Sequence, residues 1–140
     1  MRFATRFPIA VHVLTILGME FDPDPTSDYM AESVGVNPVM VRNVTGKLRR
    51  AGLVSSSQGK AGTHLAKRLD AITLLEVFRA VETEEELFSM HENPNPDCPV
   101  GGNVDSVLDG VFSQAQKAME ESLGSTTMAD IVKQIRNRAY

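Results

Sequence analysis

The chain has 140 residues, 42% of them apolar and 23% charged, with a formal net charge of −4 and a single cysteine. That length supports one hydrophobic core, or one small domain with an extension. No apolar run reaches the roughly 20 residues needed to cross a bilayer, so no membrane partner is expected. One cysteine excludes an internal disulfide framework and makes a reducing cytoplasm the expected location.

The charge is unevenly spread. Residues 1–68 hold nine Lys/Arg against five Asp/Glu, a balance of +4, whereas residues 69–140 hold five against thirteen, a balance of −8. Any surface for a polyanion therefore belongs to the first half, and the acidic second half would help to orient it.

Taken in order, Arg2 and Arg6 precede the apolar run Pro8 to Leu17. No small-residue cleavage site follows it, and Ile9, Val13, Leu14 and Leu17 are spaced for an amphipathic helix rather than a secretory signal. This helix is expected from Thr5 or Arg6 to Gly18, with Phe3 and Phe7 packed beside it and His12 in a structural role. Asp22-Pro23-Asp24-Pro25 cannot continue a helix. Thr26 or Ser27 then caps a second helix, with Asp28 in its first turn. Met30, Ala31 and Val34 point inward, and Gly35 ends the helix in the left-handed region.

Asn37-Pro38 opens a third helix, Asn as cap and Pro at the first helical position, where its missing N–H costs nothing. Val41, Val44 and Leu48 share one face with Met40 beside them. Val39, Arg42, Asn43, Gly46 and Arg50 lie opposite, flanked by Lys47 and Arg49. An apolar floor under a roof of Arg, Asn and Lys suits a helix lying in a DNA major groove. The two-residue connection forces a steep crossing, as in a helix-turn-helix.

After Ala51-Gly52, two short strands around the basic tip Gln58-Gly59-Lys60-Ala61-Gly62 make a wing, with His64 on the returning strand. Thr73 and Glu76 form a capping box for a helix packing through Leu74, Val77, Phe78 and Val81. Glu82 to Glu86 reads as a solvated helix end.

Residues 92–103 hold three Pro and two Gly and form a loop containing Cys98. Asn103 is expected to cap a long helix to about Leu123, whose Val104, Val107, Leu108, Val111, Phe112, Ala115 and Met119 form a broad apolar stripe. A partner subunit is the economical cover for such a stripe. Thr127 caps a last helix with Met128, Ile131, Val132 and Ile135 on one face.

The fold class is thus mainly α with a small β-wing. A winged helix-turn-helix domain is expected over 1–90, a Pro/Gly-rich loop over 91–103, and a dimerisation helix with a C-terminal helix over 104–140.

This order of elements resembles the Rrf2 family of bacterial winged-helix transcriptional regulators, which includes the iron–sulfur cluster regulator and the cysteine-metabolism repressor. The likeness rests on Thr26-Ser27-Asp28-Tyr29-Met30-Ala31-Glu32, Leu48-Arg49-Arg50-Ala51-Gly52-Leu53-Val54-Ser55-Ser56, Gly59-Lys60-Ala61-Gly62 and Leu65-Ala66-Lys67. It continues through Ile72-Thr73-Leu74, Cys98-Pro99-Val100-Gly101 and Thr127-Met128-Ala129-Asp130-Ile131. The resemblance implies a homodimeric repressor setting two recognition helices on a palindromic operator of double-stranded DNA.

The expected DNA-facing residues are Thr26, Ser27, Asn37, Pro38, Val39, Met40, Arg42, Asn43, Lys47, Arg50, Gln58, Gly59, Lys60 and His64. Two of them depart from the family pattern. Gln58 stands where Arg is frequent, and Arg42 stands in the slot of an acidic base-reader, so the operator is not inherited from the relatives.

Cluster-binding members use three cysteines in the loop before the long helix. Here Cys98 is alone, with only His91 and Asp97 nearby, so no iron–sulfur cluster, metal or other cofactor is expected. Cys98 is then either a small packing side chain or a redox-sensing thiol through which an effector or oxidant acts. No nucleophile pattern, phosphate loop or metal-ligand cluster suggests an enzyme. The competing reading is a winged-helix adaptor that binds proteins and no DNA.

Overall fold

The computed structural model describes residues 5–21, 25–56, 62–82 and 94–140. The wing tip Gln58, Gly59 and Lys60, together with Phe3, His91 and most of the acidic run after Glu82, lies outside the described residues. Six helices and one two-stranded antiparallel sheet make up the rest, so the fold is mainly α with a small wing.

Helix α1 spans Arg6–Gly18, α2 Ser27–Val34 and α3 Pro38–Arg50. Thr26 caps α2 by accepting the Tyr29 N–H at 3.1 Å, and Gly35 closes it at φ 86°, a conformation that a residue without Cβ adopts cheaply. Asn37 caps α3 by accepting the Met40 N–H at 3.0 Å, with Pro38 at the first helical position. Strands β1 (Val54–Ser56) and β2 (Thr63–Leu65) pair with Val54 opposite Leu65 and Ser55 opposite His64.

A short 3-10 turn over Leu69–Ala71 leads to α4, Leu74–Val81. The Thr73/Glu76 capping box is complete, and Lys67 beside Glu76 holds that carboxyl below its ordinary range. Its stabilising share is therefore full above the ordinary carboxylate value and is lost as pH falls through the lowered one.

One core joins these elements. Val13 and Leu14 of α1, Met30 of α2, Val41, Val44 and Leu48 of α3, Leu53, Ile72 and Val77 are all buried together. Val34, expected inside, is only half-buried. The long helix α5 spans Val104–Gly124 and contains no buried residue at all.

The last helix, α6 (Met128–Ala139), does not stand with α5. It returns to the winged domain. Met128 is fully buried in the same core, its N–H bonds the Ile72 carbonyl at 2.8 Å, and the Leu74 N–H bonds the Thr126 carbonyl at 2.9 Å. Arg136 of α6 also donates to the Gly18 carbonyl at the end of α1, at 3.4 Å.

Two local expectations are corrected. Asn103 does not cap α5 through its side chain; its Nδ2 donates backwards to the Pro99 carbonyl at 2.7 Å. Glu82 is not a merely solvated acid, because its Oε1 accepts the Phe7 N–H at 3.1 Å, across 75 residues. Thr5 makes no side-chain cap, so Glu82 supplies the carboxylate that the first turn of α1 lacks locally.

Candidate nucleic-acid interface

The periodicity of α3 separates two chemistries. Val41, Val44 and Leu48 are 0% exposed and bolt the helix to α1, α2 and α4. Thr45, which the pattern of apolar residues did not mark, is also buried; its hydroxyl donates to the Val41 carbonyl at 2.7 Å, so it enters the core without an unpaired polar atom.

The opposite side carries Arg42, Asn43, Arg49 and Arg50, all exposed, with Lys47 and Gly46 half-buried between them. Val39 projects from the first turn with 66% of its surface exposed.

The electrostatics of this face differ from those nearby. Lys67 is paired with Glu76 at 2.9 Å, Arg68 with Asp70 at 3.1 Å and Arg79 with Glu120 at 3.3 Å. Among the described residues, no carboxylate or other side chain engages Arg42, Asn43, Lys47, Arg49 or Arg50. A cluster of like charges without internal counter-ions attracts a polyanion, whose phosphates release their own counter-ions on contact. Arg49, assigned only to the flank in the sequence, is as much a part of this face as Arg50.

The remaining candidates are placed unevenly. Thr26 is exposed at the start of α2 and Ser27 half-buried beside it. The side-chain oxygen of Asn37 is engaged by the Met40 N–H, which leaves its amide donors for another partner. Met40 and Pro38 are half-buried, Met40 against the core, so Met40 belongs more to the floor than to the reading face.

His64 is half-buried in a recess of its own. Its Nε2 is shut off from solvent, and the ring lines a small recess with Glu20, Phe21 and Pro25 instead of standing out beside α3.

Cys98 lies half-buried in a tightly wound loop before α5. A Cβ at Gly101 would run into the Asn95 carbonyl oxygen, and one at Gly102 would lie 2.8 Å from the Pro96 carbonyl oxygen, so both positions need glycine. Winding the loop this closely turns the N–H groups of Gly101 and Val100 toward the sulfur, which lowers the thiol pKa from its ordinary value.

A lowered pKa means that thiolate persists to lower pH. The rate of alkylation by iodoacetamide is therefore expected to rise with a midpoint below that of an unperturbed thiol in a short peptide measured alongside. Gly101→Ala, which forces the loop open, is expected to move that midpoint back up.

No group of three His, Cys, Asp or Glu among the described residues is placed to hold a metal ion. A cluster held by three thiolates does not fit a chain whose one cysteine is Cys98. No helix among the described residues is long and apolar enough to cross a membrane.

Comparison with known proteins places this arrangement. The Rrf2 family profile, described as an iron-dependent transcriptional regulator, matches residues 3–134. A Bacillus subtilis (strain 168) protein named as an HTH-type transcriptional regulator, YwnA, is 41% identical over 131 residues, covering 94% of this chain and 97% of its own. A crystal structure described as a DNA-binding protein is 36% identical, with a TM-score of 0.75, over 91% of this chain and 98% of its own. T. potens IscR shares the fold at 23% identity and a TM-score of 0.74, covering 100% of this chain and 92% of its own.

Proposed function

The chain belongs to the Rrf2 family of transcriptional regulators, and from that premise we propose that it is a cytoplasmic repressor that binds a palindromic DNA operator as a homodimer. The observation that carries the reading is the outer face of α3, where exposed cations have no carboxylate partner among the described residues while the inner face is locked into the core.

In this reading α3 lies in the major groove. Arg42 presents paired donors that fit the two acceptors of guanine, Val39 offers an apolar contact to a thymine methyl, and Asn43 can pair with adenine. Arg49, Arg50 and Lys47 hold phosphates; the sequence assigns Gln58, Gly59 and Lys60, which lie outside the described residues, to the same task. The apolar stripe of α5, with Val107 63% and Val111 53% exposed, supports a twofold partner. Cys98, with its lowered pKa, is the proposed point of oxidant response. Family and relatives point to a regulator rather than an enzyme.

The test separates base reading from charge. Selection from random duplexes defines the preferred sequence, and binding is then measured against salt. Arg42→Ala is expected to weaken the preferred duplex by about 1–3 kcal/mol and to relax preference at one base pair. Arg50→Ala is expected to weaken all sequences alike and to reduce the salt slope by about 1. If both variants bind like the parent, the reading face is wrong. If the parent binds no duplex at low salt, the protein is an adaptor that meets proteins instead.

A further inference from the structure

We infer that the groove between α1, α2 and the end of α6 is a binding site for a small, uncharged, largely aromatic molecule, and that its occupancy controls DNA binding. The cavity measures about 600 Å³, within the roughly 300–1,000 Å³ of sites that enclose organic ligands. Its walls include Phe7, Val11 and His12 from α1, Phe21 just beyond it, and Tyr29 and Ser33 from α2. The end of α6 and Leu74 of α4 add to the lining, and the groove stays open to solvent on its outer side.

The chemistry of the lining selects the occupant. Phe21 and Tyr29 meet edge to face with ring centroids 6.0 Å apart, and Phe7 is fixed in the same way against Phe78 at 5.4 Å. Rings held at such angles leave faces and edges for another flat ring. Among the described residues, no Lys, Arg, Asp or Glu lines the groove, so a charged ligand would give up its hydration with nothing in exchange. One polar pair spans the wall: His12 Nε2 and Ser33 Oγ lie 3.0 Å apart, joining α1 to α2. The occupant is therefore neutral, with a hydrogen-bonding group for that pair.

The position couples the groove to α3. Tyr29 and Ser33 face the groove, while Met30 and Ala31 of the same short helix are buried in the core. α3 packs directly on α2. A molecule that opens the His12–Ser33 contact shifts α2 against α1 and with it the seat of α3. The effector role rests on the DNA-binding reading above; the occupancy of the groove does not.

The experiment uses the full chain with 1-naphthol as the neutral probe and 1-naphthoate as its charged counterpart, measured by calorimetry. Duplex affinity is measured in parallel with and without probe. Naphthol is expected to bind at least about tenfold more tightly than naphthoate and to change duplex affinity about fivefold or more. Ser33→Trp, which fills the groove from an exposed position, is expected to abolish naphthol binding while retaining the parent's circular dichroism. His12→Phe, which keeps a ring but removes the polar partner, is expected to weaken it.

Absence of naphthol binding to the parent, or equal binding by Ser33→Trp, overturns the proposal. So does a Ser33→Trp protein whose self-association changes while naphthol binds neither form, since a second copy then fills the groove. Naphthol binding with unchanged duplex affinity overturns the effector role. A parent that binds naphthol but no duplex overturns the DNA-binding reading and leaves the occupant of the groove standing.

Discussion

Leu48→Ala is expected to lower the free energy of unfolding by about 2–5 kcal/mol, the range for truncating a packed aliphatic side chain. Leu48 is 0% exposed and is the last of the three residues that fix α3 to the body. Its removal leaves a void beneath the helix that Val41 and Val44, both β-branched and already packed, cannot fill by changing rotamer. A domain of this kind has about 5–15 kcal/mol in total, so the loss takes a large share of it. Urea denaturation checks the result: the midpoint falls while the slope stays the same. The exposed Arg42, earlier on the same helix, provides the contrast, since Arg42→Ala is expected to stay within about 0.5 kcal/mol of the parent. A cost under about 1 kcal/mol for Leu48→Ala would mean that α3 is not seated as described.

The second large effect concerns self-association. Val107 and Val111 lie one helical turn apart on α5, more than half exposed, on a helix of 21 residues with no buried member. The proposed dimer covers this stripe. Carboxylates placed there together, Val107→Glu with Val111→Glu, would be desolvated and would face their own copies across a twofold axis. The dissociation constant of the dimer is expected to rise by at least about a hundredfold. Affinity for a duplex carrying both half-sites is expected to fall by a factor in the range of about 10²–10⁴, as two linked contacts become independent ones. Neither side chain supports the core, so helical content should hold. Sedimentation and duplex titration check the two arms, and a dimer that survives the double substitution would show that the stripe is not the seam.

Much of this architecture was legible in the sequence because its signals are local. Asn37-Pro38 marks a helix start within two residues, and the spacing of Val41, Val44 and Leu48 marks its inner face. Gly35 and the Thr73/Glu76 pair mark ends in the same way, and each is found in place. Pattern also separated the cationic side of α3 from its apolar side.

What local pattern does not encode is which distant surface a face will meet. Ile131 and Val132 announce an apolar side on α6, but nothing in their spacing distinguishes packing against α5 from packing against α1, 120 residues away. Glu82 sits among like charges and reads as solvent-facing until the first turn of α1 is brought beside it. His64 alternates with Thr63 and Leu65 as a strand residue should, yet the alternation does not say that Glu20, Phe21 and Pro25 share a recess with it. The groove behind α2 was invisible for the same reason, since its walls come from four helices separated along the chain.

The return of α6 has a consequence for how this molecule can be divided. Met128 is buried in the common core with its N–H on the Ile72 carbonyl, and Arg136 holds the far end of α1 by its last carbonyl. The first ninety residues are therefore not a self-sufficient unit. A fragment ending before Met128 would expose the middle of its own interior to water. Any truncation that must leave the reading helix in working order has to keep α6.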